Sequence, residues 1–269
     1  MANWRKDLQA YGPFGHDKTV FEVQMLADKD GNIINTFGAA SNVPIAAGLV
    51  DGYSGVHKYG AVFGTAVGTM STVWTRADTT ANALYDWTYS AGTITVESSS
   101  GSDTTDVTIS GLDDNYAEVS ETLTLTGSTP VAGTQTFSRV NRAFMAGTET
   151  NVGDIHVKRG STIVTEIAAD YGQTLQCLYT IPAGKTGYLM NINASASKNQ
   201  VVDLFLFQRP FNGAFRVLST ISLNQGNQSI DFPVPLKLTE KTDIDLRVKG
   251  SSNATISADF TIVLVDNPS

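Results

Sequence analysis

One cysteine, Cys177, stands in 269 residues, so no disulfide can close within the chain. Leu175 and Tyr179 share its face of an alternating run, which marks the thiol as a small buried apolar group. A reactive thiol would need cationic neighbours, and the flanking sequence does not supply them. Charge is scarce as well: Asp, Glu, Lys and Arg make up 16% of the chain, against roughly 25% in an average soluble protein. The net charge is −8 and no cluster of Lys and Arg breaks it, which argues against a nucleic-acid backbone as partner, since phosphate contacts need clustered cations. The histidines are His16, His57 and His156, and none lies two or four residues from another, so no zinc site is expected. No run reaches the ~20 apolar residues of a membrane-spanning helix. The opening MANWRKDLQAYG has no apolar core of a signal peptide, and the expectation is a chain made in a cytoplasm without classical export. Asn193, Asn227 and Asn253 match the glycosylation pattern, but with no signal segment they read as ordinary polar positions of a β protein.

What fills the chain is alternation. The apolar share is 41%, and Ser, Thr, Asn and Gly occupy the places that charge leaves. The run Thr174–Val217 is the densest example. Leu175, Cys177 and Tyr179 alternate up to Pro182, the Ile181–Lys185 turn reverses the chain, and Tyr188–Ala194 and Val201–Gln208 follow as strands. Upstream, strands are expected at Thr93–Glu97, Asp106–Ser110, Ser120–Thr126, Thr136–Ala143, Asp154–Lys158 and Ile163–Ile167, separated by Ser-, Gly- and Asp-rich turns. Downstream they are expected at Phe215–Leu223, Ser229–Leu238, Asp243–Val248 and Thr255–Val265. Pro233 and Pro235 confine their strand to an edge or an irregular crossing. In the last strand both alternating sets are apolar, so burial on both faces is expected.

This spacing predicts an all-β fold of two antiparallel β-sandwich modules, jelly-roll-like, behind an extended N-terminal arm. The expected division is 1–50 for the arm and a hairpin, 51–149 for the first module and 150–269 for the second, with the boundary in Ala146–Gly153. The hairpin joins Thr19–Leu26 to Ile33–Phe37 through Asp28–Asn32. The Gly/Ala-rich segment from Ala39 to Thr72 reads as connecting chain that packs on a sheet or a neighbour. Trp4, Tyr11 and Phe14 lie on an aperiodic segment, where aromatics dock either on their own domain or on a neighbouring subunit. Tyr85, Trp87 and Tyr89 alternate on one face of a strand, with Trp74 nearby; buried, they are core or interface, and exposed they would stack on sugar rings.

Chemistry is hard to find. A calcium loop starting at Asp28 would need Gly and Glu where Ile33 and Ala39 stand. The glycines of 39–72 do not open a helix, so they make no phosphate cradle. No Gly-x-Ser-x-Gly elbow is present. Asp113/Asp114 and Glu118/Glu121 flank a turn and read as solvated turn residues rather than as a glycosidase pair. Lys158 and Arg159 form one small basic spot. No catalytic residue, cofactor or metal site is expected.

Several words of the sequence, taken in order, resemble a family of virion structural proteins of tailed phages, frequent in marine phages. They are Gly55-Val56-His57-Lys58-Tyr59-Gly60, then Thr93–Ser100 (TITVESSS), Val107–Asp113 (VTISGLD), Val119–Gly127 (VSETLTLTG) and Arg139-Val140-Asn141-Arg142-Ala143. Gly153–Ile155 (GDI), Tyr179–Thr186 (YTIPAGKT) and Phe260–Val265 (FTIVLV) complete the set, which spans about residues 50–266. The resemblance implies a non-enzymatic particle component, with no catalytic residues to carry over. The expectation is therefore a homo-oligomer on the virion exterior, a capsid decoration or tail accessory protein contacting major capsid or tail proteins. The alternative is a tail module that binds a host-surface glycan or receptor.

Overall fold

The computed structural model describes residues 26–27, 33–34, 42–63, 68–76, 84–88, 90–250 and 254–268. The chain divides into two compact units, Met1–Pro44 and Ile45–Ser269. In the first, β1 (Leu26–Ala27) and β2 (Ile33–Ile34) pair antiparallel, with Leu26 opposite Ile34. This is the core of the expected hairpin; its turn lies outside the described residues, as do Trp4, Tyr11 and Phe14. A short helix, α1 (Asn42–Ala46), follows.

The second unit is all-β and antiparallel. Its strands are β3 (Tyr53–Val62), β4 (Met70–Thr72), β5 (Thr95–Ser98), β6 (Asp106–Leu112), β7 (Glu118–Thr124), β8 (Val131–Ala132) and β9 (Arg139–Met145). They continue with β10 (Ile155–Arg159), β11 (Thr162–Ile167), β12 (Leu178–Thr180), β13 (Lys185–Arg209), β14 (Arg216–Leu238), β15 (Asp243–Gly250) and β16 (Ile256–Asp266). A four-stranded sheet, β11-β10-β5-β8, and a three-stranded sheet, β7-β6-β9, share one apolar core built on Phe137, Ile109, Val96 and Ile155. Along β6 the inward residues Val107 and Ile109 alternate with Thr108 and Ser110.

The seven-stranded sheet runs β12-β15-β13-β16-β3, with β14 on β13 and β4 on β15. β13 organises it. One edge of β13 carries β14 along most of its length; the other carries β16 over Lys185–Ala196 and β15 over Val202–Arg209. Leu189 and Ile192 from one half, and Leu204 and Leu206 from the other, belong to one core with Phe260, Ile262 and Leu246. Phe260, Ile262 and Leu264 are fully buried, while Thr261, Val263 and Val265 opposite them are only half-buried, so burial of β16 is less symmetric than its apolar pattern suggests.

Strand pairing cuts across the expected 149/150 boundary. β3 and β4 belong to the C-terminal sheet, through β16 and β15, and β10 and β11 belong with β5. β3 is also a strand where connecting chain was expected. Its glycines mask it in the sequence, and Gly60 has a packing reason: a Cβ there would sit 2.5 Å from the Cys177 amide nitrogen and 2.5 Å from the Val73 carbonyl oxygen. The paired expectations 188–194 with 201–208, and 215–223 with 229–238, are single long strands, β13 and β14. The prolines act as expected: Leu189 faces Leu236 and Asn191 faces Asp231, so residues 232–235 leave the ladder, and β14 is an edge strand.

Candidate functional site

β15 reads Asp-Ile-Asp-Leu-Arg-Val from Asp243 to Val248. Ile244, Leu246 and Val248 enter the large apolar core, so Asp243, Asp245 and Arg247 must share the other face. That face is buried too, at 3%, 0% and 8% exposure. Aromatic rings and guanidinium groups cover it.

Asp243 is held from three elements. Arg139 of β9 donates Nε to Oδ1 at 3.0 Å, Arg209 at the end of β13 donates Nε and Nη2 to Oδ2 at 2.8 and 2.5 Å, and Thr180 of β12 donates its hydroxyl at 2.6 Å. Asp245 accepts from Arg247 Nε at 2.8 Å, Trp87 Nε1 at 3.0 Å and Thr72 Oγ1 at 3.2 Å. Its burial pushes the carboxyl above the usual range, against the pull of Arg247 and of the hydrogen bonds from Trp87, Arg247 and Thr72. The guanidinium of Arg247 lies over Phe207 and Phe215 at 4.3 and 4.5 Å; that of Arg209 lies over Phe215 and Trp87 at 4.7 and 5.6 Å. Arg139 lies over Trp87 and Tyr116, 5.5 Å from each ring centre.

The sequence-predicted aromatics are partly here. Trp74, Tyr85 and Trp87 form an edge-to-face chain at 5.4 and 4.8 Å and are only 4%, 4% and 5% exposed. They are core, not a sugar platform. Residues 84–88 form no strand: the Tyr85 amide donates to Thr72 Oγ1 at 2.9 Å instead of to a ladder, although burial still alternates. Tyr89 lies outside the described residues.

The charged layer opens at one end into a cleft of about 190 Å³, lined by Tyr116, Arg209, the Pro210–Gly213 turn, Lys241 and Asp243. Tyr116 and Phe211 meet edge to face at 5.6 Å, and the Lys241 ammonium lies 5.7 and 5.1 Å from their centres. Tyr116, Asn212 and Lys241 have φ of 65°, 56° and 60°, a left-handed backbone that non-glycine residues seldom adopt. None of these was singled out in the sequence. The period-two charge of β15 was legible, but it looks the same for a solvated face as for a covered one.

Three of the resemblance words meet where the small sheets join the large one. Lys58, from GVHKYG, is fully buried and donates to the Asn141 carbonyl of RVNRA; burial lowers its pKa to about 8. Gln176 donates to the carbonyls of Val140 and Asn141 at 3.1 and 2.9 Å. From YTIPAGKT, Thr180 reaches Asp243 and the Ala183 amide donates to the Tyr116 carbonyl at 2.8 Å. Cys177 is free and buried, and its burial pushes the thiol well above its ordinary pKa, the reverse of an activated nucleophile.

The carboxylates near the turns hold backbone. Asp113 accepts from the amides of Asn115 and Ala117, and Glu121 from Thr134 and Gln135. Lys158 pairs with Glu97, and Arg159 donates to the carbonyls of Ser90 and Phe137. Among the described residues no group of three His, Cys, Asp or Glu side chains is placed to hold a metal ion, and no helix is long and apolar enough to cross a membrane.

No family model matches the chain, and no curated protein matches it. Among solved structures, it is similar to that of infectious bursal disease virus Gx strain at a TM-score of 0.19 and 9% identity, covering 81% of this chain and 76% of that chain. The VP2 subviral particle of the same virus gives 0.18 and 10%, covering 82% and 78%, and its Gt strain 0.17 and 11%, covering 81% and 78%. Scores this low carry no argument about fold or function.

Proposed function

We propose that the chain is a non-enzymatic structural component of a tailed-phage virion, a capsid decoration or tail accessory protein that assembles through symmetric β-domain contacts. The observation that carries this reading is the place of the resemblance words. GVHKYG, RVNRA and YTIPAGKT lie far apart in sequence and supply the polar contacts of one joint, so they specify an architecture rather than a catalytic centre. The free edge of β14 supports assembly. It runs from Arg216 to Leu238, pairs among the described residues only with β13, and exposes Val217, Leu218 and Val234. A long free edge is a template for association unless covered, and closed symmetry covers it. On this reading the partners are further copies and major capsid or tail proteins, and the place of action is the particle. Mass spectrometry of purified particles from a phage encoding the chain is the test. Stoichiometric presence supports the reading, and absence from the particles overturns it.

The second reading, a tail module that binds a host-surface glycan or receptor, loses the buried row of Trp74, Tyr85 and Trp87. What favours it now is the open ring of Phe211, 49% exposed beside Tyr116 and Lys241.

A further inference from the structure

We propose that the cleft between Tyr116, Phe211 and Lys241 binds one carboxylated sugar residue, a uronic acid, with the sugar ring on the aromatic corner and the carboxylate on Lys241. This deepens the second reading above and does not depend on where the chain sits on a particle.

The cations of the site differ in how they are committed. Arg139 is paired with Asp243 and Arg247 with Asp245, while Arg209 commits only Nε and Nη2 to Asp243. Glu240, next to Lys241, accepts from the Gly184 amide at 2.6 Å. Lys241 makes no ion pair or side-chain hydrogen bond among the described residues; its ammonium rests on two rings and keeps its donors. A cationic ligand is therefore excluded, because the chain's own ammonium fills the aromatic seat. An anion is the complement. Arg209 adds to this, since Nε and Nη2 serve Asp243 and Nη1 has no partner among the described residues.

Size and shape select a sugar rather than a bare anion. A volume of about 190 Å³ equals roughly six waters at ~30 Å³ each and is smaller than the ~300 Å³ at which drug-sized pockets begin. It suits one ring of a longer glycan. The rings of Tyr116 and Phe211 stand at 82° to each other, a floor and a wall for the apolar face of a pyranose. The Asn212 amide and the backbone of the Pro210–Gly213 turn, closed by Gly213 N–H to Pro210 O at 2.8 Å, offer partners for hydroxyls. Left-handed Tyr116, Asn212 and Lys241 converge here, and strain of this kind gathers where a ligand needs a fixed geometry.

The test is a titration of the full chain, followed by amide resonances of Phe211, Asn212, Gly213 and Lys241, with methyl glucuronide, methyl glucoside and acetate. Saturable shifts with the glucuronide at least tenfold tighter than the glucoside are expected, from one charge-assisted contact. Lys241→Gln should bring the glucuronide down to the glucoside, with the remaining resonances unmoved; Phe211→Ala should weaken both sugars alike. Equal affinity for the two sugars, no binding of either, or a preference that survives Lys241→Gln would overturn the proposal. Acetate binding as tightly as the glucuronide would overturn its sugar part. Any of these failures leaves the assembly reading intact, since that stands or falls on the particle.

Discussion

The small paired sheets and the charged layer of β15 are both buried, yet they are buried by different means. Between the sheets, Phe137, Ile109, Val96 and Ile155 belong to one cluster of buried apolar side chains. On β15, Asp243 and Asp245 are as deep, and each needs several donors to be there. Apolar packing is tolerant of geometry, because any close fit gains the same kind of energy. A buried carboxylate is not, since each unmatched lone pair loses hydration without return. The paired sheets thus supply stability, and the β15 layer selects one way of seating them on the large sheet.

Breaking the layer at its centre has the largest expected effect. Asp243→Ala leaves buried Arg139 and half-buried Arg209 without their carboxylate and should cost about 3–5 kcal/mol. Thr180→Val keeps the volume and removes one charge-assisted donor to Asp243; it should cost about 1.5–3 kcal/mol. Urea unfolding of both variants checks the pair. Equal small effects would mean that packing, not pairing, seats the two parts.

The paired sheets carry a comparable device at their rim. Asp103 accepts from the Ser98 hydroxyl and from the amides of Val152 and Gly153 at 2.7 and 2.9 Å. Burial pushes its carboxyl up, but the hydrogen bonds from Ser98, Val152 and Gly153 together win and hold it below the usual range. A lowered carboxyl contributes stability that is present above its unfolded value of 3.8 and is lost as pH falls through the folded one. Asp103→Asn turns an N–H donor toward amide donors and should cost about 2 kcal/mol at pH 7. Denaturant curves at pH 7 and pH 3 should show the gap between variant and parent narrowing in acid.

Lys58 sharpens the comparison by pH. Its pKa falls from 10.5 to about 8 because burial penalises the ammonium. Folding therefore releases its proton, and its contribution to stability rises as pH climbs from about 8 toward 10.5. Cys177, raised above its ordinary value of 9.0, works in the opposite sense once pH passes that point. The clean window is pH 8 to 9, where the gain should be about 1 kcal/mol. Lys58→Met should flatten it without orphaning the Asn141 carbonyl, which keeps Gln176 at 2.9 Å. Urea midpoints stepped from pH 7.5 to 9 read the slope; a rise that persists in the variant assigns it elsewhere.

Much of this architecture was legible in the residues. The antiparallel pairing of Leu26 with Ile34, the edge role of the strand with Pro233 and Pro235 and the burial of Cys177 follow from local chemistry, and all three are seen. The partition of strands was not legible, because pairing of β3 with β16 joins residues near 57 to residues near 261, and no local signal marks such a partner. Gly55 and Gly60 hid β3, although Gly60 is there for close packing. The candidate cleft was missed for a related reason. Tyr116, Phe211 and Lys241 come from separate loops, and each alone is an ordinary loop residue.

The smallest effect is also the sharpest control. Thr108 and Thr122 face each other across β6 and β7, their hydroxyls 2.8 Å apart on the exposed side. Thr108→Val makes the same atomic change as Thr180→Val: one hydroxyl becomes a methyl. At position 108 the orphaned Thr122 hydroxyl turns to water, and valine suits a strand as well as threonine does. The expected change is at most about 0.5 kcal/mol, at the low end for a cross-strand pair. If both substitutions cost the same, burial and charge at Asp243 add nothing to a hydroxyl's worth. If position 180 costs several-fold more, the difference is the contribution of the charged layer, measured with chemistry held constant.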